Sequence, residues 1–198
     1  ITIGDWSSDV CSSDLSDTSN PAPATGVRYK DIFTNHVFLD ERYPIQEDQE
    51  KGVYVVRGKF KAIFNESIPP ENPNSVDVVI NLVRDFNLVE INWTKDKLIL
   101  WAKDYVQLIK QQHQLNTIEQ SNPFVLSFAH LVRWVSAKFR DFHFYRPPFT
   151  TGEQIQTVIF CSFLEDEITP VFWIPKWSAV KDRSEERRVG KECRSRWS

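Results

Sequence analysis

The chain of 198 residues contains no methionine, only six glycines and only three cysteines. The scattered glycines disfavour a glycine-rich loop that cradles phosphate groups. No apolar run approaches the ~20 residues that a membrane-spanning helix needs, so the sequence predicts a soluble protein without a membrane span. The absence of methionine, including a first one, is expected for an internal piece of an open reading frame.

The two ends of the chain have an unusual character. Residues 5–15 resemble the translation of a short-read sequencing adapter, and residues 183–198 resemble the translation of the partner adapter. Disordered polar tails are the alternative. We interpret residues 1–15 and 183–198 as artefacts to be set aside, 16–27 as a disordered linker, 28–178 as a single α+β domain and 179–182 as a tail. Natural termini are then missing, and the compartment stays open, with the cytoplasm favoured.

Setting the ends aside also changes the cysteine count. Cys11 and Cys193 lie in the ends, which leaves Cys161 as a thiol without a partner and excludes a disulfide framework. Cys161 lies in an apolar run, where a buried, unreactive thiol is expected; a nucleophile activated by a distant histidine is the alternative. The four histidines lack metal-ligand spacing, and neither HExxH nor CxxC occurs. No cofactor and no metal site are predicted.

Period-two alternation predicts strands over residues 53–64, 76–83 and 87–93, after a weaker strand at 36–39. Short connections between the first three predict an antiparallel meander. The spacing then becomes helical: Thr94 or Asp96 caps a first helix, and a second begins with Asn122 as N-cap and Pro123 as its first residue. Its apolar stripe continues to Phe142.

Two more strands follow the helices. Residues 154–164 are apolar on both faces, which is typical of a central strand covered on both sides. Residues 168–176 form the last strand, and Pro170 and Pro175 predict that it lies at an edge, because proline cannot donate to a neighbouring strand. The order β-β-β-α-α-β-β predicts an α+β fold, with an antiparallel sheet of about five strands and two helices packed on one face.

Cations recur on one face of the strand predicted at residues 53–64. Arg57, Lys59 and Lys61 point the same way and would be ~7 Å apart, as in sheet surfaces that bind phosphate or RNA. The alternative is that they face water and pair with Asp77 and Glu90 on neighbouring strands. These carboxylates favour the alternative.

A second group of cations follows the second helix. His130, Arg133 and Arg140 share a stripe by spacing, and Trp134 and Lys138 lie beside them. Next come His143, Tyr145 and Arg146. Arginine with exposed aromatic residues is typical of protein interfaces and of stacking sites for single strands. A solvated helix face, with Trp134 against the sheet edge, is the alternative.

Three functional hypotheses follow. The first is a protein-interaction or assembly domain that uses the surface around Arg133, Trp134, Arg140 and Arg146, with Arg57, Lys59 and Lys61 as a second surface. The second is a nucleic-acid or phosphate-ligand binder, which the net charge of −3 disfavours. The third is a metal-dependent hydrolase built on Asp77, Asp85 and Glu90 with Lys95, but the usual acid-x-lysine step is absent. A binding role is favoured over catalysis, and a protein is the favoured partner.

Overall fold

The computed structural model describes residues 26–64, 76–148, 156–166 and 168–183. Within them the helices are α1 (Asn81–Asp85), α2 (Lys95–Gln112) and α3 (Ile118–Ala137). The strands are β1 (Val27–Asp31), β2 (Val37–Asp40), β3 (Ile45–Asp48), β4 (Val53–Arg57), β5 (Phe60–Phe64), β6 (Val76–Ile80), β7 (Val89–Ile91), β8 (His143–Arg146), β9 (Ile159–Phe163), β10 (Pro170–Pro175) and β11 (Ala179–Arg183). Residues 1–25 and 184–198 lie outside the described residues, and with them most of the artefacts predicted at 1–15 and 183–198 and of the linker predicted at 16–27. Two residues of these predicted segments are instead in strands, since Val27 begins β1 and Arg183 ends β11.

The largest sheet is antiparallel and has six strands in the order β3-β4-β10-β9-β8-β7. The edge position predicted for the last long strand is wrong, because β10 lies inside this sheet. Its two prolines are its first and last residues. The residues between them keep their N–H groups and pair with β4 on one side and β9 on the other. Proline at strand ends is therefore compatible with an interior strand.

The six-stranded sheet is covered on both faces. On one face Phe144 and Phe160 pack in a core cluster with α2 and α3. On the other face Ile159 and Cys161 pack in a second cluster with β1, β2 and α1. The prediction that the strand around Cys161 is covered on both sides is confirmed, as is the packing of two helices on one face. The fold class predicted from the sequence, α+β with antiparallel strands, is confirmed as well.

The predicted start of α2 is confirmed, whereas the predicted start and end of α3 are both wrong. Thr94 caps α2 as predicted, and its side chain accepts a hydrogen bond from Lys97 N. Helix α3 begins earlier than predicted, because Thr117 and Gln120 form a reciprocal capping box that satisfies free backbone donors. Pro123 therefore lies inside α3. The helix also ends earlier, at Ala137, and the residues after it form a 3₁₀ helix (Phe139–Asp141) and β8.

Two smaller sheets complete the fold within the described residues. One has the order β11-β1-β2, so the tail predicted for residues 179–182 is instead part of a strand that pairs with β1. The other is the two-stranded ribbon of β5 and β6. The predicted strand at residues 53–64 is thus two strands in different sheets, and the predicted meander is wrong. Buried Gly58 lies at the break, where its N–H donates to Pro170 O.

Candidate binding surface

The cations predicted to share a helix stripe lie on three consecutive elements. His130, Arg133 and Trp134 are on the last turns of α3, and Lys138 is its C-cap residue. Arg140 belongs to the 3₁₀ helix, and His143 begins β8. The spacing argument for one helical stripe therefore fails after Ala137. The structure nevertheless brings most of these residues into one row of clefts.

The first cleft has a volume of about 410 Å³ and is lined by Glu50, Lys51, His130, Arg133, Trp134 and Ala137. Two of these residues come from the turn between β3 and β4. The Lys51 ammonium lies 5.4 Å from the centre of the Trp134 ring and 2.9 Å from Asp48 Oδ2. His130 Nδ1 lies 3.3 Å from Glu50 Oε1. The β3–β4 turn and helix α3 thus face each other across an aromatic ring and paired charges.

Gly52 explains how the turn approaches α3 so closely. Its φ of 63° lies in the left-handed region, which glycine adopts without steric cost. A Cβ at this position would lie only 2.8 Å from Ser127 Oγ on α3. A residue with a side chain would therefore push the turn away from the helix. Glycine at residue 52 thus contributes to the geometry of the first cleft.

Trp134 forms a wall of the cleft and is also part of the fold. Its ring packs edge-on against Phe142, with 4.9 Å between the ring centres, and against Trp173 of β10, with 5.0 Å between them. The side chain is half-buried. The position against the sheet that the sequence offered as the alternative is therefore observed. The exposed part of the ring lines the cleft together with Lys51 and Arg133.

Two further clefts continue from the first. The second, of about 410 Å³, is lined by Lys95, Ser136, Ala137, Lys138, Phe139, Arg140 and Asp141. The third, of about 220 Å³, includes Glu90, Asn92, Phe139, Arg140 and His143. Ala137 is shared by the first two clefts, and Phe139 and Arg140 are shared by the last two. We call the surface of these three clefts the α3 band.

The charge of the α3 band is predominantly positive. Its cations are Lys51, Lys95, Arg133, Lys138 and Arg140, and its carboxylates are Glu50, Glu90 and Asp141. One of these carboxylates already has a partner within the band, since Glu90 Oε1 lies 3.0 Å from His143 Nδ1. Glu50 and Lys51 were not singled out from the sequence. They lie in a polar turn without periodicity, and only the tertiary contact with α3 gives them a place in the band.

The remaining predicted cations lie away from the α3 band. Arg57 ends β4, whereas Lys61 lies in β5. The two residues are therefore not on one face of a single strand, as the sequence predicts. No ion pair within 4.0 Å joins Arg57, Lys59 or Lys61 to a carboxylate in the part of the chain that the structure describes. The predicted pairing with Asp77 and Glu90 is therefore wrong. Arg146 lies at the end of β8 and donates to the backbone oxygens of Pro147 and Pro148.

The carboxylates of the hydrolase hypothesis are also separated. Asp77 is in the β5–β6 ribbon, and Glu90 is on β7 beside His143. Asp85 Oδ2 accepts a hydrogen bond of 2.6 Å from the hydroxyl of Tyr43. Among the described residues, no group of three or more His, Cys, Asp or Glu side chains could hold a metal ion. In the part of the chain that the structure describes, Asp77, Asp85 and Glu90 therefore do not form one group.

Cys161 is fully buried in β9, as predicted. Burial raises the pKa of the thiol to about 12, and the nearby charge of Glu90 adds to the shift. The protonated thiol is therefore the dominant form at neutral pH. Since the thiolate is the nucleophile, this position disfavours the alternative of a catalytic cysteine.

A search of the described helices for a membrane-spanning segment finds none with the length and apolar character that a span requires.

An antiparallel sheet with a helical hairpin on one face and a small sheet on the other places the chain among α+β proteins. Comparison with known proteins identifies its family. The family model described as "Translationally controlled tumour protein" matches residues 27–179. The chain belongs to this family.

Individual relatives agree with this assignment at low sequence identity. The homologue from Xenopus tropicalis is 25% identical over 164 residues, which cover 72% of this chain and 90% of the relative. The Homo sapiens protein is 23% identical over 160 residues, with the same coverage. Among solved structures, the translationally controlled tumour-associated protein of Schizosaccharomyces pombe superposes with a TM-score of 0.67 at 22% identity, covering 79% of this chain and 98% of that one. That likeness shows the fold.

Proposed function

We propose that the chain is a protein-binding or assembly domain that holds an acidic segment of a partner protein on the α3 band. The observation that carries this proposal is the continuity of the three clefts, which share Ala137 and then Phe139 and Arg140. A row of adjoining clefts suits an extended partner segment. A single enclosed pocket would suit a small molecule instead.

The chemistry of the α3 band supports a partner that combines carboxylates with an apolar anchor. Arg133 and Arg140 are exposed, and each can hold a carboxylate with two parallel hydrogen bonds. The exposed part of Trp134 offers an apolar contact between them and Lys51. Arginine and tryptophan are enriched among the residues that carry most of the binding energy of protein interfaces. A rigidly packed tryptophan loses little conformational freedom on binding.

The experiment compares two probes of equal charge in the full chain. One is an acidic ten-residue peptide of glutamates with a central leucine, and the other is a single-stranded oligothymidylate. We expect the peptide to shift the backbone amide resonances of residues 130–143. The variant Arg133→Ala/Arg140→Ala should weaken this binding about tenfold, as expected when interface arginines are removed. Lys97→Ala/Lys103→Ala, which removes two exposed cations on α2 outside the α3 band, is the matched control.

The salt dependence separates the two kinds of partner. Oligonucleotide binding that loses affinity steeply with added salt, while the peptide fails to bind, would replace this proposal by the nucleic-acid alternative. Equal weakening by Lys97→Ala/Lys103→Ala and by Arg133→Ala/Arg140→Ala would show that the peptide responds only to overall charge. Shifts confined to residues outside the α3 band would likewise remove it as the binding surface.

A further inference from the structure

The β5–β6 ribbon stands apart from the six-stranded sheet. Its register pairs Phe60 with Ile80 and Phe64 with Val76. Its base is fixed by a backbone hydrogen bond from Asn81 N to Lys59 O. The Phe60 ring also stacks on Phe163 of β9, with 6.2 Å between the ring centres. Among the described residues, these contacts anchor the ribbon at the end of Lys59, Phe60 and Asn81.

One face of the ribbon is entirely apolar. Side chains alternate between faces along a strand, so this face carries Phe60, Ala62 and Phe64 from β5 and Val76, Val78 and Ile80 from β6. It is open toward the far end, where Phe64 is 68% exposed and Val78 66% exposed. At the other end Phe60 stacks on Phe163 and is less exposed, at 44%. Adjoining apolar residues this exposed are typical of an interaction surface.

The opposite face of the ribbon carries charge. Lys61 lies there on β5, and Lys59, two residues earlier, precedes the strand. Both side chains are exposed, and no ion pair within 4.0 Å reaches either of them in the described ranges. The ribbon's carboxylate on this face is Asp77 of β6, which stands opposite Ile63. Lys61 thus belongs to β5 and Asp77 to β6, and Ile63 and Val79 share this face with them.

The outer edge of β5 is the third feature of the ribbon. Within the described residues β5 pairs with β6 and with no other strand. Alternate residues of an antiparallel strand direct their N–H and C=O groups away from the neighbour, so the outer edge of β5 presents backbone donors and acceptors. Such an edge can accept an extended chain as an additional strand.

We propose that the outer edge of β5 pairs with an extended segment of a protein partner whose side chains alternate between apolar and acidic. The apolar side chains would continue the face of Phe64 and Ala62, and the acidic ones would lie beside Lys61 and Lys59. An acidic segment is attracted to β5 rather than to β6, because β6 carries Asp77. A second copy of this chain is disfavoured, since pairing β5 with β5 would bring like charges together. This site is separate from the α3 band and does not depend on the proposed function.

The test uses the full chain and a fluorescent seven-residue peptide of alternating valine and glutamate. Two further versions carry N-methyl groups on either the odd or the even backbone nitrogens. Only one edge of an added strand pairs with β5, so one methylated version should bind like the parent peptide and the other should lose binding. Fluorescence anisotropy measures the affinity, and amide resonance shifts at residues 59–64 locate the site.

Variants connect the binding to β5. Lys59→Glu/Lys61→Glu should weaken the parent peptide at least about tenfold, because attractive cross-strand pairs become repulsive. The matched control Lys97→Glu/Lys103→Glu makes the same charge change at exposed positions on α2 and should leave the affinity unchanged. The neutral variant Lys59→Gln/Lys61→Gln should weaken binding about threefold, and it keeps the test valid if the reversed variant unfolds.

Three results would overturn the proposal. Equal binding of both methylated peptides would show that no strand is added. Equal weakening by the control variant would show that the peptide responds only to net charge. Concentration-dependent dimers that Lys59→Glu/Lys61→Glu disrupts would show that the edge serves a second copy of the chain.

Discussion

The hydroxyl of Thr157 donates a hydrogen bond of 2.5 Å to Oδ1 of Asp31, which lies 126 residues earlier in the chain. Both side chains are buried. The other carboxylate oxygen of Asp31 accepts hydrogen bonds from the backbone N–H and the hydroxyl of Thr34. Asp31 ends β1 and Thr157 precedes β9, so this buried carboxyl group joins the small sheet to the six-stranded one.

The first prediction concerns the pH dependence of this contact. Burial raises the pKa of Asp31, although the hydrogen bonds from Thr157 and Thr34 act in the opposite direction. The folded state therefore binds the proton more tightly than the unfolded state. The contribution of Asp31 to stability is fully present below the ordinary pKa of 3.8 and is lost as pH rises through the raised value.

Asp31→Ala should accordingly lower the free energy of unfolding by about 1–3 kcal/mol at low pH, because Thr157 and Thr34 lose their acceptors. The loss should become smaller as pH rises. Urea unfolding of both proteins between pH 3.5 and pH 7 measures the difference. Asp182→Ala, which removes an exposed partner of Lys30 in the same sheet, is the control and should cost little. A loss that grows with pH would contradict the prediction.

The second prediction concerns the start of α3. Thr117→Ala removes the hydroxyl that accepts from Gln120 N, and it should destabilise the protein by about 1 kcal/mol. Asn122→Ala should have a much smaller effect, because Asn122 lies inside the helix and does not cap it. Thermal unfolding of the two variants under identical conditions gives the comparison. A larger effect from Asn122→Ala would mean that the helix begins where the sequence alone indicates.

The third prediction concerns Gly52. Gly52→Ala forces a residue with a Cβ into a left-handed conformation and brings that atom within 2.8 Å of Ser127 Oγ. We expect a loss of about 1–3 kcal/mol in the free energy of unfolding. The change should also move the β3–β4 turn and increase the distance between the Lys51 ammonium and the Trp134 ring. The chemical shifts of the Trp134 indole report this separation. In the Ser127→Ala background the steric part of the loss should decrease, whereas the backbone part should remain.

The fourth prediction concerns Cys161. With a pKa of about 12, only about one thiol in 10,000 is ionised at pH 8. In a Cys11→Ser/Cys193→Ser protein, a thiol reagent such as Ellman's reagent should therefore react with Cys161 only through the small unfolded population. Addition of urea should raise the reaction rate in parallel with the unfolded fraction. Rapid stoichiometric reaction in the native state would contradict the buried position of this side chain.

Local signals in the sequence were sufficient for helix α2. Its apolar residues Leu98, Trp101 and Tyr105 recur at helical spacing and all are buried, and its N-cap lies at Thr94 as predicted. Both the cap and the spacing depend on residues close together in the chain. The α+β class could be predicted for the same reason, since it requires only the type of each element.

Sheet membership could not be predicted from the same pattern. The alternation from Tyr54 to Phe64 continues without interruption across the break between β4 and β5. The break depends on Gly58, where a Cβ would lie 3.1 Å from Phe172 and 3.2 Å from Pro170. Both contacts come from a strand more than a hundred residues later. The α3 band was predicted in part, because its helical residues were found but the turn that faces them was not.

The position of β10 has a consequence for how the chain folds. Strands β3 and β4 form one side of the six-stranded sheet, and β9, β8 and β7 form the other. Among the described strands β10 alone pairs with both sides, and it follows β9 in the chain. Contacts between residues so distant in sequence slow folding. During synthesis the two halves remain disconnected until residues 170–175 leave the ribosome, so a truncated product ending before them exposes two unpaired strand edges and is prone to aggregate.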